Sequence, residues 1–151
     1  MRSPLPESTT VRLHLPPAVL GDLETWARAE YPNEACGLLL GRSRTDTGRV
    51  VVRVVRCANL NRERDRYQLD PVDHLAAEKA AHREGLEVIG VWHTHPDHPA
   101  QPSETDRAAA WEGWSYVIVA VIARGVNDVR SFRLRANAFI EEEIQRTGVG
   151  G

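Results

Sequence analysis

The chain has 151 residues and a formal net charge of −2 at pH 7, with 42% hydrophobic and 26% charged residues. This length and apolar content suit one domain with a single buried core. The near-neutral charge offers no dense positive surface for nucleic acid, and no apolar stretch reaches the ~20 residues that span a bilayer. We therefore expect neither a nucleic-acid partner nor a membrane partner.

The ends of the chain and its cysteines indicate a compartment and a domain boundary. Residues 1–10 lack the apolar core of a signal peptide, and two cysteines are too few for a disulfide scaffold. We therefore predict a cytoplasmic protein in which Cys36 and Cys57 are free thiols. The domain is expected to span residues 11–146, between a flexible N-terminus and a flexible, glycine-rich tail over residues 147–151.

The N-terminal half predicts a strand, a helix and a hairpin. Apolar residues alternate in the first segment and then recur at helical spacing after Pro16 and Pro17. A β-branched run further on is typical of a strand. In chain order we expect a strand over 11–15, a helix from Pro16 to about Tyr31, a strand over 35–40, a turn over 45–48 and a partner strand over 50–55.

The C-terminal half alternates strands with helices. The unbroken apolar run over 116–122 predicts a central strand that is covered on both faces. The other expected elements are a short strand over 67–69, a helix from Asp70 to about Gly85 with Leu75, Ala76 and Ala80 on one side, a strand from Leu86 that stops at Pro96, a short helix from Ser103, a turn over 125–128 into a strand over 129–134, and a strand over 139–144. Together these elements predict an α/β fold, a mixed β-sheet covered by helices.

The most informative motif is His93-Thr94-His95-Pro96, at the end of an apolar strand. Side chains two apart on a strand share a face, so His93 and His95 point the same way. Pro96 has no backbone donor, so the strand should stop there and release the chain into a loop. An isolated pair of histidines is more often structural or exposed, and the pair alone would not indicate a metal site.

A third metal-capable side chain follows that loop. Ser103 with acidic residues after it indicates a helix start, and Asp106 lies in the first turn. Alone, Ser103 and Asp106 would be an ordinary capping box. Added to two imidazoles on one face, the carboxylate completes a three-ligand set with an open fourth position for water, which is typical of catalytic zinc. We therefore predict one zinc ion per chain, held by His93, His95 and Asp106.

A second constellation lies upstream, where Glu34 precedes the apolar run Ala35-Cys36-Gly37-Leu38-Leu39-Leu40-Gly41. A carboxylate near a zinc-activated water can take its proton and pass it to a leaving amine. On residue chemistry alone, a glutamate before a strand is more commonly a solvated charge or a cap. Glu34 is the best candidate for a catalytic base in this chain.

Together, the two segments resemble the JAMM motif of the MPN+ metallopeptidases, because Glu34 and His93-x-His95-Pro96-x6-Ser103-x2-Asp106 occupy every signature position. The order of elements over residues 11–144 is also similar to that of short bacterial members. The resemblance implies a single MPN domain of cytidine-deaminase-like architecture. It further implies zinc on His93, His95 and Asp106, Glu34 as general acid and base, and Ser103 as a donor to the tetrahedral intermediate.

The resemblance also implies a substrate class. JAMM enzymes cleave peptide or isopeptide bonds after the C-terminal Gly-Gly of ubiquitin-like proteins, and short bacterial chains resemble those that process ubiquitin-like sulfur carriers. A ubiquitin-like sulfur-carrier protein is therefore the expected partner. Two alternatives are a non-catalytic MPN scaffold, disfavoured by the intact ligand set, and a zinc-dependent deaminase, disfavoured because the chain lacks a PCxxC cysteine pair.

Other polar and aromatic residues lie near these motifs without an assigned role. His98 is expected to be a solvated loop residue. The cluster of Arg62, Arg64 and Arg66 is either a solvated loop or a contact for a carboxylate or an acidic carrier. Three tryptophans are expected to belong to the core rather than to line a substrate groove: Trp92, Trp111 and Trp114. The sequence leaves open the oligomeric state, including a homodimer, and the identity of the carrier.

Overall fold

The computed structural model describes residues 12–44, 48–61 and 67–146. Within these ranges the strands are β1 (Arg12–His14), β2 (Cys36–Arg44), β3 (Gly48–Cys57), β4 (Glu87–Pro96), β5 (Ser115–Ile122), β6 (Gly125–Arg135) and β7 (Ala138–Gln145). The helices are α1 (Pro17–Glu30), α2 (Pro71–Arg83) and α3 (Glu104–Ala108). The predicted flexible ends, residues 45–47 of the predicted turn over 45–48 and the arginine cluster over 62–66 lie outside the described residues. No helix in the described ranges is long and apolar enough to cross a bilayer.

The strands form one mixed sheet in the order β1-β3-β2-β4-β5-β6-β7. The pairs β1–β3, β1–β7 and β4–β5 are parallel, and the other neighbours are antiparallel. The predicted mixed sheet with helices is confirmed. The prediction of an open sheet covered by helices differs from the structure, because β1 pairs with both β3 and β7 and closes the sheet into a barrel. Closure depends on three residues of β1 meeting strands far apart in the chain, which local sequence patterns do not encode.

Most predicted elements are confirmed, and three local predictions were wrong. The expected strand over 67–69 is a single bridge between Asn59 and Leu69. The expected turn over 125–128 already belongs to β6. On α2 the buried residues are Ala77 and Ala81, whereas Leu75 is 55% exposed. The helix packs its small side chains against β2 and β4, because alanines allow a close approach to the sheet.

Alternate residues of β2 and β4 serve two separate hydrophobic clusters. One cluster contains Leu39 and Trp92 and packs against α1. The other contains Leu38 and Val91 and packs against α2. The strand that carries both histidines is therefore covered on both faces along most of its length. Its neighbour β5 is also buried except at its last residue, as the unbroken apolar run predicted.

A glycine in β2 makes room for the indole of Trp92. A Cβ atom at Gly37 would lie 2.4 Å from the indole Nε1 and 1.9 Å from the carbonyl oxygen of Val55. Through this space the indole N–H of Trp92 donates a hydrogen bond to the Val55 carbonyl at 3.0 Å. The side chain of Trp92, the residue before His93, thus reaches across β2 and is held by a hydrogen bond to β3. The predicted core position of Trp92 is confirmed by its complete burial.

A buried network of charges and hydroxyls links β3, β5, β6 and β7. Glu142 accepts hydrogen bonds from Ser115 at 2.5 Å, from Ser131 at 2.8 Å and from Arg133 at 2.9 Å. The Ser115 hydroxyl in turn accepts a hydrogen bond from Arg49 at 2.5 Å. Burial lowers the pKa of Arg49 to about 10, so its guanidinium stays charged at neutral pH. Both Arg49 and Glu142 are less than one-tenth exposed, at 7% and 6%.

Removing the carboxylate of this network should weaken the fold strongly. We expect Glu142→Ala to lower the free energy of unfolding by ~3–5 kcal/mol, because it leaves two guanidinium groups inside the protein without their counter-charge. Urea unfolding followed by circular dichroism would measure the change. The control is Glu143→Ala in the same strand, which removes an exposed ion pair with Arg12 and should cost less than ~1 kcal/mol. Equal losses in the two variants would contradict the role given to the network.

Candidate metal centre

Two hydrogen bonds hold the segment before β2 against the end of β4. The Thr94 N–H donates to the Ala35 carbonyl at 3.0 Å, and the Ala35 N–H donates to the Thr94 hydroxyl at 2.9 Å. Because the two strands are antiparallel, the residue before Ala35 lies beside the residue after Thr94. Glu34 therefore lies next to His95. It is only 5% exposed, so burial sets it apart from an ordinary solvated glutamate.

The imidazoles of His93 and His95 and the carboxylate of Asp106 converge. Nε2 of His93 lies 3.2 Å from Nε2 of His95 and 3.4 Å from one oxygen of Asp106. The other oxygen of Asp106 lies 3.3 Å from Nε2 of His95. Ligand atoms at ~2.0–2.1 Å from a tetrahedral ion are ~3.3 Å apart. The structure thus brings the three residues together with the spacing that a single small ion requires, and this group is able to bind a metal.

Burial and hydrogen bonds shift the pKa values of the three residues in different directions. Burial lowers the pKa of His93, which is 1% exposed. Burial likewise acts to lower the pKa of His95, but hydrogen bonds to Asp106 and to the Pro99 carbonyl raise it above its usual value. For Asp106, burial acts to raise the pKa, and hydrogen bonds from both histidines hold it well below its usual range. The shifts of Asp106 and His93 favour the ionised carboxylate and the neutral imidazole that bind cations, whereas His95 must release a proton when a cation binds.

Different contacts orient the two imidazole rings. Nδ1 of His95 lies 2.9 Å from the Pro99 carbonyl oxygen, and a carbonyl can only accept, so Nδ1 carries a proton. In the neutral ring this leaves the Nε2 lone pair for a cation. The ring of His93 stacks on Tyr67, with centroids 4.3 Å apart and an angle of 22° between the planes. Nδ1 of His93 is buried and has no hydrogen-bond partner among the described residues. Stacking and the strand backbone therefore hold this ring.

A reciprocal cap fixes Asp106 at the start of α3. The Asp106 N–H donates to the Ser103 hydroxyl at 3.0 Å, and the Ser103 N–H donates to Asp106 Oδ2 at 2.8 Å. The predicted helix start and capping box are thus confirmed. Because the Ser103 oxygen accepts from the backbone, its own hydroxyl proton can be donated to another group. Ser103 is exposed, so a bound molecule can reach that proton.

A cavity of about 550 Å³ opens beside Asp106. Its walls include the aromatic side chains of Tyr67, Tyr116, Trp111 and Trp114, and we call it the aromatic cavity. The expectation that Trp111 belongs to the core was wrong, since 71% of its surface is exposed. Trp114 is half-buried and lines the same cavity, so it too faces a groove as well as the protein. Sequence reasoning missed Tyr67, since its stacking on His93 joins segments that are distant along the chain.

A smaller and more polar cavity, about 310 Å³, includes Glu34 in its wall. Its other polar lining residues are Glu30, Arg56 and Asn59. Glu30 and Arg56 form an ion pair at 3.1 Å across this cavity wall. No described residue lines both the aromatic cavity and the polar cavity.

The remaining candidates stand apart from the group. His98 is exposed and is not one of the three converging residues, in agreement with its expected loop role. Cys36 and Cys57 are free, as predicted, and both are buried. Burial raises the pKa of Cys36 to about 12 and that of Cys57 to about 11, so both thiols stay protonated at neutral pH. Neither sulfur belongs to the converging group.

This fold and site place the chain in a known family. The family model described as prokaryotic homologs of the JAB domain matches residues 16–135, and the chain belongs to that family. Among solved structures, one from Desulfitobacterium hafniense has a TM-score of 0.80 at 32% identity, covering 89% of this chain and 92% of that one. A JAB1/MPN domain protein from Archaeoglobus fulgidus shares the fold, with a TM-score of 0.54 at 17% identity, covering 90% of this chain and all of that one. The resemblance to JAMM and MPN proteins is confirmed.

Several curated relatives of this chain have names that refer to the cleavage of proteins or peptides. A probable TtuB-protein conjugate cleaving protease from Thermus thermophilus is 34% identical, covering 81% of this chain and 76% of the relative. A desampylase from Haloferax volcanii is 33% identical, covering 67% of this chain and 72% of the relative. A CysO-cysteine peptidase from Mycobacterium tuberculosis is 30% identical, covering 78% of this chain and 80% of the relative.

Proposed function

We propose that this protein is a cytoplasmic, zinc-dependent metallopeptidase. Its reaction is hydrolysis of a peptide or isopeptide bond after the C-terminal Gly-Gly of a ubiquitin-like sulfur-carrier protein. The observation that carries the proposal is the convergence of His93, His95 and Asp106 beside the buried Glu34. The names of the relatives, which refer to protein conjugates and to a CysO–cysteine bond, support the class of substrate.

The donor set supports zinc as the metal. Two imidazole nitrogens and one carboxylate leave a fourth tetrahedral position, as in catalytic zinc sites, and imidazole suits zinc better than magnesium or calcium. His93, His95 and Asp106 would hold one ion per chain. When bound, the ion lowers the pKa of water and polarises the substrate carbonyl.

Glu34 is the proposed proton carrier of the reaction. Its carboxylate takes a proton from the attacking water and then delivers it to the nitrogen of the leaving amine. Its place beside His95 and its burial support this role. A carboxylate that is shielded from bulk water can hold the proton until the leaving amine takes it, without losing it to solvent. The leaving amine must therefore approach from the side on which Glu34 lies.

Ser103 is the proposed donor to the negative oxygen that develops on the substrate carbonyl. We expect Ser103→Ala to lower kcat by ~10²–10³ with the metal retained, because loss of one such donor typically has this effect. Steady-state kinetics and metal analysis on the same preparation would check it. The same variant also loses a helix cap, worth ~1 kcal/mol of folding stability.

A matched variant separates the two roles of Ser103. Ser103→Thr keeps a hydroxyl that can both cap α3 and donate, so it should recover most of the activity. If Ser103→Ala lost its metal together with its activity, the hydroxyl would act through Asp106 and the donor role would be rejected.

The experiment that tests the proposed function combines metal analysis with cleavage. A ubiquitin-like carrier ending in Gly-Gly is joined either to a short C-terminal peptide or to a lysine side chain, and products are identified by mass spectrometry. We expect about one zinc ion per chain, cleavage after Gly-Gly, loss of cleavage with a chelator and recovery when zinc is returned. Cleavage that persists in metal-free protein would reject the proposal.

A further inference from the structure

The polar cavity contains an arginine, Arg56, that has no part in the proposed chemistry. We infer that this cavity binds the leaving group and that Arg56 binds a carboxylate on the carbon next to the nitrogen that is released. The selected leaving group is then a single C-terminal amino acid, and neither a lysine side chain nor a longer peptide. The inference rests on the proposed function and chooses between the peptide and isopeptide bonds named there.

Glu34 places the leaving nitrogen at this cavity. Hydrolysis breaks the C–N bond, leaves the hydroxyl of water on the glycine carbonyl carbon and moves the proton through Glu34 to the nitrogen. A proton donor must lie within hydrogen-bond reach of its acceptor. Glu34 lines the polar cavity together with Arg56 and Asn59, and the Asn59 side chain donates to the Glu34 carbonyl at 3.2 Å. The released nitrogen and the carbon bonded to it therefore lie at this cavity.

Contacts on two sides hold the guanidinium of Arg56 in place before any substrate binds. Its Nη2 donates to Oε2 of Glu30, the last residue of α1, at 3.1 Å. The guanidinium also lies over the ring of Trp26, 5.9 Å from the ring centroid, which is a cation–π contact. Trp26 in turn stacks on the buried Trp92, with centroids 5.7 Å apart. A guanidinium that is already ordered loses little conformational freedom when it binds a ligand.

Most donors of this guanidinium are available to a ligand. Glu30 takes up one nitrogen, and the others have no hydrogen-bond partner among the residues that the structure describes. The side chains of Arg56 and Glu30 are 46% and 41% exposed, so a second carboxylate can reach the guanidinium. Their exposed ion pair contributes little to stability, and sharing it with a ligand therefore costs little. Arginine binds carboxylates through paired N–H groups, which suits it to recognise one.

The charges of the cavity match those of a free amino acid. Such a leaving group carries its nitrogen and its carboxylate on the same carbon, so the nitrogen can face Glu34 while the carboxylate faces Arg56. The nitrogen of a lysine side chain lies instead at the end of a methylene chain, and a longer peptide has a neutral amide in place of the carboxylate. The volume, about 310 Å³, lies at the lower end of the ~300–1,000 Å³ typical of ligand pockets and also favours a small leaving group.

The test uses one carrier with three leaving groups. A ubiquitin-like carrier ending in Gly-Gly is extended by a single alanine, with either a free carboxylate or a carboxamide, or is joined to the side chain of lysine. The carboxamide has nearly the shape of the acid but no charge. Wild type should cleave the acid with a kcat/KM about 10- to 100-fold higher than that for the amide, as a hydrogen bond to a charged group allows. The lysine conjugate should also be cleaved more slowly than the acid.

Arg56→Gln should remove this preference. We expect kcat/KM for the acid to fall to within ~3-fold of that for the amide, while the amide rate and the zinc content stay those of wild type. A purely structural role of Arg56 would slow the acid and the amide equally. The control is Arg53→Gln in the same strand, which removes a guanidinium that is 43% exposed, pairs with Glu84 at 2.7 Å and does not line the cavity. It should keep the preference of wild type.

Three results would overturn the inference. The first is a wild type that cleaves the acid no faster than the amide or the lysine conjugate. The second is an Arg56→Gln variant that still prefers the acid as wild type does. The third is an Arg53→Gln variant that loses the preference to the same extent, since the effect would then reflect overall charge and not a site at Arg56.

A binding measurement separates failure of this inference from failure of the proposed function. The acid and amide carriers are titrated by calorimetry into zinc-loaded Glu34→Gln and into the double variant Glu34→Gln/Arg56→Gln. Tighter binding of the acid to the single variant alone supports the site at Arg56 even if wild type cleaves no carrier. Equal binding of the two carriers to the single variant overturns the site even if wild type cleaves them.

Discussion

Replacing His93 or His95 with alanine is expected to remove metal and hydrolysis together. In the proposed site each imidazole supplies one of three ligand atoms. Loss of a residue that only hydrogen-bonds a metal ligand already costs ~10–100-fold in affinity or activity. We therefore expect a loss of more than ~100-fold in kcat/KM and substoichiometric zinc in either variant. Elemental analysis after dialysis and a cleavage assay would be made on the same sample.

The two histidines differ in burial, so the less buried one, His95, tests the loss of a ligand with less damage to the fold. His93 is fully buried, so His93→Ala also creates a cavity, whereas His95 has 11% of its side chain exposed and loses less packing when truncated. The control is His98→Ala, which removes an exposed histidine three residues beyond His95 and should keep both zinc and activity. A His95→Ala protein that folds and retains stoichiometric zinc would show that the ligand set is wrong.

Glu34→Gln is expected to separate metal binding from catalysis. Glutamine has nearly the same shape as glutamate but cannot take up a proton at neutral pH, so the fold and the zinc content should be preserved. General acid–base catalysis typically contributes ~10²–10⁴-fold, and kcat should fall by that factor. Single-turnover cleavage with a zinc-loaded sample would measure it.

The matched control for this variant is Glu84→Gln. Glu84 lies on the surface at the end of α2, where it pairs with Arg53 at 2.7 Å, and its replacement should not affect turnover. Zinc-loaded Glu34→Gln with the rate of wild type would remove Glu34 from the proposed chemistry. Loss of zinc from the same variant would indicate that Glu34 supports the ligands instead.

The parts of the site that could be predicted are those set by local geometry. His93 and His95 share a face because strands have a period of two, and the Ser103–Asp106 capping box has a recognisable spacing of three. The position of Glu34 is different, because it depends on the pairing of β2 with β4, which are separated along the chain by β3 and α2. On chemistry alone a solvated glutamate was the better interpretation, and only the family motif pointed to Glu34.

The parts that could not be predicted depend on contacts between distant segments. Tyr67 stacks on His93 only because the chain before α2 returns to the end of β4. The pairing of β1 with both β3 and β7 closes the sheet through backbone groups that every residue type possesses. Tryptophan is a residue type that is usually buried, and the exposure of Trp111 follows from the shape of the turn that ends at Gly113. None of these contacts has a periodicity that a local pattern would show.

The shared use of Arg49 has an evolutionary consequence. One guanidinium stabilises the inside of the barrel through Ser115 and holds the turn that carries Trp111 through the Gly113 carbonyl. Substitutions that tune thermal tolerance through this residue will also shift the wall of the aromatic cavity. The interior of the barrel and this cavity wall therefore cannot change independently in evolution, because a substitution at Arg49 alters both.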